Sequence, residues 1–212
     1  MRGFAVLVVA ALLAACAAES APTGIPAEPT QAVSPTEPEE EPEIKPAATS
    51  TEEEASPMDE QDFKLTSEAF LQEGPIPATH SCDGENISPS LTWTNPPSGT
   101  ESLALIFDDP DAPVGTWVHW VLFNMPSEMR SLPEAVGPDP ILANGTLHGS
   151  NSWNSIGYGG PCPPGGEHRY FFKLYALDSV LDLEVGATKE QVLEAMNGHI
   201  VAQTELMGTY SR

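Results

Sequence analysis

Two consecutive carboxylates run into a proline-stiffened turn at Asp108-Asp109-Pro110-Asp111-Ala112-Pro113, and Trp117-Val118-His119-Trp120 follows a few residues later. Carboxylates accept hydrogen bonds and positive charge, and an imidazole donates or accepts near neutral pH. Together they can hold a small polar group in a fixed place. Pro110 and Pro113 have no N–H to give to a ladder, and each fixes its own φ at about −65°. A strand over residues 103–107 therefore ends in a rigid turn, and a second strand, residues 117–124, carries His119 inside an aromatic and aliphatic run. The structural alternatives are a plain Asp-Pro turn and a packed, hydrogen-bonded core histidine.

A second stretch has the same character. Gly157-Tyr158-Gly159-Gly160-Pro161-Cys162-Pro163-Pro164-Gly165-Gly166-Glu167-His168-Arg169-Tyr170 is too rich in glycine and proline for a regular element, yet it leads into one of the most apolar runs of the chain. That combination describes a shaped loop on a rigid frame. Glycines let backbone N–H groups approach a ligand and can form a concavity for an anion. A simple connector is the alternative.

The elements that must position these stretches follow from charge and pattern. The 212-residue chain carries a net charge of −23 with only 8 Lys+Arg, which excludes a basic nucleic-acid footprint. Residues 1–16 read as an export signal, with Arg2 before an apolar core of about ten residues, too short to span a bilayer. Its end, Leu13-Ala14-Ala15-Cys16, resembles the lipobox of bacterial lipoproteins, in which the cysteine is acylated and becomes the new amino terminus. Ordinary signal cleavage beside a chance cysteine is the alternative. Acyl chains on Cys16, each worth about 0.8 kcal/mol per buried CH₂, would hold the protein on a membrane surface. Residues 17–62, rich in Pro and Glu and nearly devoid of large apolar side chains, cannot bury enough surface to fold, and are expected to be a disordered tether.

Residues 63–212 form the expected folded domain. Short apolar or alternating runs at 63–71, 91–93, 103–107, 117–124, 170–176 and 200–206 are separated by Gly, Pro, Asn and Ser clusters. This pattern predicts a mainly β, antiparallel sandwich rather than alternating βα units. One helix is clear: Thr188 caps it, Gln191 stands at the capping-box position, Val192, Leu193 and Met196 make its apolar stripe, and Gly198 ends it. Cys82 and Cys162 are an even pair in an exported chain, where disulfides persist. A bridge would close a loop of about 80 residues and contribute about 4 kcal/mol by the chain-entropy argument. Two buried free thiols are the alternative.

These blocks resemble the phosphatidylethanolamine-binding protein family, also called the Raf kinase inhibitor protein-like family. The residues that carry the likeness are Asp109-Pro110-Asp111-Ala112-Pro113, Trp117-Val118-His119-Trp120 with Asn124, and Gly160-Pro161 followed by His168-Arg169-Tyr170. Cys82-Asp83-Gly84-Glu85-Asn86-Ile87-Ser88-Pro89 and the ending from Gly198 to Arg212 look more like its bacterial branch. The resemblance implies a large antiparallel sheet packed on a smaller one, a few peripheral helices, and a small pre-formed pocket for a phosphate-ester head group or a carboxylate. The pocket would comprise Asp109, Asp111, Pro113, Trp117, His119, Gly160, Pro161, His168 and Tyr170. His119, His168, the Gly160 amide and the Tyr170 hydroxyl would donate to the anion. Asp109 and Asp111 would orient the imidazoles or accept from an ammonium group. Cys162 departs from the proline that animal members carry after Gly-Pro.

The reading is an exported small-anion binder, lipid-anchored in a bacterial cell envelope, with no cofactor and no resident metal. An inhibitor or regulator of an envelope protease or kinase-type partner is the alternative from a different class. An Asp/His hydrolase is a third reading, against which stands the lack of a nucleophile elbow, a HExxH run or a Walker loop.

Overall fold

The computed structural model describes residues 63–212. The expected signal peptide, the lipidation site Cys16 and the acidic tether of residues 17–62 lie outside the described residues. Eight strands and one α-helix follow in chain order: β1 (Leu65–Thr66), β2 (Leu91–Trp93), β3 (Ser102–Asp109), β4 (Trp117–Pro126), β5 (Ser131–Leu132), β6 (Leu147–His148), β7 (Glu167–Leu177), α1 (Lys189–Met196) and β8 (Ile200–Ser211). They form two antiparallel sheets, a small one in the order β1-β2-β5 and a large one in the order β6-β4-β3-β7-β8. The expected mainly β architecture of two unequal sheets is the one observed.

β3 lies at the centre of the large sheet and is buried along its whole length. Its odd positions, Leu103, Leu105 and Phe107, meet Leu65, Leu91, Trp93 and Leu132 of the small sheet, and Phe107 lies stacked against Phe172 of β7. Its even positions, Ala104 and Ile106, meet Val192 and Met196 of α1 on the opposite face. One strand thus glues three layers, and each large side chain fully buried in it contributes roughly 2 kcal/mol.

The helix begins as its sequence requires. The Thr188 side chain accepts from the Gln191 backbone, and Gln191 returns the bond to the cap amide. Leu193 departs from the expected stripe, since it is half exposed while Val192 and Met196 are buried. The stretch 63–71 also departs: only Leu65–Thr66 pairs in a sheet, and Phe70 turns from a loop onto the core. β7 and β8 run longer than their apolar cores because they pair along almost their full lengths.

A disulfide joins Cys82 to Cys162. It fastens the turn after the short 3-10 segment Ala78–His80 to the glycine-rich loop.

Candidate functional site

The β3–β4 turn and both ends of the long connection between β6 and β7, residues 149–166, come together at one end of the large sheet. They do so because β4, β3 and β7 are neighbours there. Between them lies a recess of about 260 Å³ whose lining includes Asp109, Pro113, Trp117, His119 and His168, five of the nine expected residues.

His119 reaches the recess through an irregularity in β4. Phe107 pairs with Trp120, but Asp108 pairs with Val118, so His119 is an extra residue opposite β3. A bulge of this kind re-aims a side chain. Strict alternation would set His119 and Trp120 on opposite faces of the sheet. With the bulge, both rings lie on the inner face, where His119 packs 5.1 Å from Phe107 and Trp120 packs against Tyr158. Gly159 then holds the imidazole: its N–H donates to the His119 carbonyl at 3.0 Å, and its own carbonyl accepts from His119 Nδ1 at 2.7 Å. Burial pushes the His119 imidazole below its ordinary pKa, against the weaker opposing pull of that carbonyl and of Asp109. The ring is therefore neutral near pH 7, with its proton on Nδ1 and the lone pair of Nε2 left for the recess.

His168 is oriented by a carboxylate. Alternation along β7 turns His168 and Tyr170 inward. His168 Nδ1 lies 2.8 Å from Asp109 Oδ2, and the Asp111 amide donates to Asp109 Oδ1 at 2.8 Å. Asp109 is thus fixed by its own turn and fixes the second imidazole in turn. The Tyr170 ring packs behind the two imidazoles, edge-on to His119 at 5.4 Å and roughly parallel to His168. Its hydroxyl is buried close to Asp109 and the Cys162 backbone, and burial, with the Asp109 charge as the next contribution, drives its pKa upward. It remains a protonated donor.

The structure assigns Asp111, Gly160 and Pro161 other duties than the expected ones. Arg169 takes both Asp111 oxygens, at 2.9 and 2.7 Å, and the Arg169 amide adds a third bond. That set of donors holds the carboxyl at about 2, and Asp111 clamps the turn to β7 instead of orienting an imidazole. The Gly160 amide donates to Asn86 Oδ1 at 2.7 Å and not toward the recess. A Cβ on Gly160 would stand 2.3 Å from the His80 carbonyl oxygen, so only glycine permits this approach. Pro161 is buried beside it, its carbonyl accepting from the Cys82 amide. Asn124 likewise clamps a loop, exchanging two bonds with the Leu181 backbone.

Trp153 was missed by sequence reasoning. It lines the recess and meets both His119 and Trp117 edge-on, at 5.1 and 5.4 Å. A Cβ on Gly159 would come within 2.5 Å of its ring. Asn151 shapes this loop by accepting from the Trp153 and Ser155 amides. The available signal was a large aromatic stranded in a polar run, Asn151-Ser152-Trp153-Asn154-Ser155. Cys162, Pro163 and Pro164 complete the opposite wall.

Among the described residues no Lys or Arg lines the recess, and no cluster of His, Cys, Asp and Glu is arranged to hold a metal ion. The polar side chains that line the recess are the imidazoles of His119 and His168 and the carboxylate of Asp109.

Residues 66–211 match the family described as phosphatidylethanolamine-binding protein. The chain belongs to the phosphatidylethanolamine-binding protein family. A UPF0098 protein of Methanothermobacter thermautotrophicus is 54% identical over 150 residues, spanning 71% of this chain and 99% of that one. A UPF0098 protein of Chlamydia trachomatis is 47% identical over 155 residues, again 71% of this chain and 99% of the other. Archaeal members are thus as similar as bacterial ones, and the likeness is not confined to a bacterial branch. Among solved members, a Chlamydia trachomatis homologue of the family superposes with a TM-score of 0.66 at 44% identity, over 72% of this chain and 99% of that one. An E. coli protein described as a new member of the mammalian family gives 0.67 at 34%, over 71% and 98%.

Proposed function

We propose that this family member is an exported, lipid-anchored protein that binds a small anion, a phosphate-ester head group or a carboxylate, in the recess at the end of the large sheet. One observation carries the reading: His119 and His168 line the same recess with Nδ1 of each ring already engaged, which leaves Nε2 of each for a shared ligand, on His119 as a donor once the ring takes up a proton. Tyr170 packs behind both imidazoles, and Trp117, Trp153 and the prolines form an apolar wall. Asp109 retains lone pairs for an ammonium group, which suits a zwitterionic head group. The family's name points the same way. Cys16 and the signal before it support export and anchoring at the cell envelope.

An NMR titration of the purified protein with phosphate, phosphoethanolamine, a nucleotide and acetate tests the binding. Saturable shifts at His119, His168, Trp153 and Tyr170 are expected, and silence at millimolar ligand would refute the pocket. For the anchor, Cys16→Ser should release the protein from membranes.

A second reading, inhibition or regulation of an envelope protease or kinase-type partner, is favoured by the exposed apolar rim. Val114 is 79% and Trp153 46% exposed at the mouth. Competition between such a partner and phosphate would place the contact on the recess.

A further inference from the structure

We propose that the Cys82–Cys162 disulfide is a thiol-exchange site, at which a small thiol opens one wall of the recess and lowers its affinity for anions. Four observations combine. Both half-cystines are exposed at the surface, unlike the structural bridges that protein cores shield. Exposed disulfides are the labile and regulatory class. Arg212 Nη1 donates to Cys162 Sγ at 3.5 Å, while Nη2 of the same guanidinium pairs with Asp83 Oδ1 at 2.9 Å. Cys162 lines the recess that His119 and His168 share.

The asymmetry assigns the direction of attack. A guanidinium beside a sulfur stabilises its thiolate and makes it the better leaving group. An incoming thiolate bonds to Cys82 Sγ, the bond between Cys82 and Cys162 breaks, and the electron pair leaves on Cys162 Sγ beside Arg212. The negative charge of the attacking thiolate is carried over to Cys162. A second thiol attacking the mixed disulfide completes the reduction, leaving two cysteine thiols and one disulfide of the small thiol.

The exchange is local because other bonds hold the two segments together. The Cys82 amide still donates to the Pro161 carbonyl, and the Gly160 amide to Asn86 Oδ1. What changes is the recess. Breaking the bridge frees the rim that Cys162 forms with Pro163 and Pro164, and while Cys162 is a thiolate it adds a negative charge to that wall, offset in part by Arg212. A bound anion loses its fixed wall. This consequence rests on the anion-binding reading; the exchange itself does not.

The experiment treats the purified protein, without denaturant, with 2-mercaptoethanol, then alkylates it and maps the adducts by peptide mass spectrometry. A mixed disulfide on Cys82 with an alkylated Cys162 is expected, with circular dichroism unchanged, and Arg212→Gln should slow the opening several-fold. Resistance until the protein is unfolded, or adducts on Cys162 at a rate indifferent to Arg212→Gln, would overturn the proposal. In parallel, inorganic phosphate is titrated into the disulfide and opened forms. A loss of at least tenfold on opening supports the coupling, and equal affinity overturns it. Absence of phosphate binding to the disulfide form would refute the anion reading, while the adduct map still decides the exchange.

Discussion

At the end of β3, Asp108 and Asp109 point to opposite sides of the large sheet, and the two buried carboxylates are neutralised in different ways. Asp108, fully buried on the helix side, is held by Lys173 of β7 at 2.9 Å and by Lys189 of α1. Asp109 is 3% exposed on the recess side and meets an imidazole, one amide and the Tyr170 hydroxyl, with no ammonium or guanidinium on it. The first site closes on itself: two ammonium groups saturate one carboxylate, and the cluster ties helix to sheet. The second is left unsaturated beside an open cavity. A carboxylate that is matched by full charges reads as structure, and one matched by a titratable ring reads as a place for a ligand.

One variant on each side of the sheet separates the two roles. Asp108→Ala strands two lysines that are partly buried, and unfolding in urea should show a loss of about 3 kcal/mol. Phosphate affinity should be unchanged, because α1 lies on the far face. His119→Ala should do the reverse. Anion affinity is expected to fall at least about tenfold, the loss of one hydrogen bond to a charged group, while stability falls by only about 1 kcal/mol. Calorimetric titration checks the first value and urea melts the second. Loss of binding in Asp108→Ala at full stability would abolish the distinction.

Acidity sharpens it further. His119 is held below its ordinary pKa by burial, so at neutral pH its Nε2 presents a lone pair to the recess. An acetate oxygen is repelled by that lone pair and attracted by the protonated ring. Binding therefore takes up one proton, and affinity should rise as pH falls toward the pKa of His119, weakening by up to about tenfold per unit above it. Acetate titrations between about pH 5 and 8, the range in which histidines titrate, provide the slope. A flat profile would remove His119 from the contact.

How much of this was legible beforehand depends on whether a feature is local. The capping box of α1, the proline-stiffened turn and the strand character of β3, β4 and β7 reside in consecutive residues, and the structure has them where the pattern puts them. The Cys82–Cys162 pairing followed from parity and the expectation of export. The two-residue strands β5 and β6 had no periodicity to read, since each exists only through its partner. The bulge at His119 is a matter of register between β3 and β4, invisible in either strand alone. The Gly160 amide was misassigned for the same reason: its partner, Asn86, is 74 residues away. Trp153 reaches the recess only because Gly159 leaves room beneath its ring.

The smallest effect concerns the third acid of the turn. Asp111 resembles Asp108 in being matched by a full charge, but its partner is largely exposed: the Arg169 side chain is 55% accessible. Asp111→Asn should therefore cost only about 1 kcal/mol, the value for a well-oriented surface pair. Its folded pKa, about 2, lies below the ordinary 3.8, so the contribution is complete above that ordinary value and disappears as pH falls through about 2. Urea melts of both proteins at pH 7 should differ, and melts near the folded pKa should converge. Phosphate affinity should stay within about twofold, because the bond that Asp111 gives to Asp109 comes from its backbone amide, which asparagine retains. A loss comparable to that of His119→Ala would mean that the Asp111 charge acts on the recess through His168, and that saturation by arginine does not separate a structural carboxylate from a ligand-binding one.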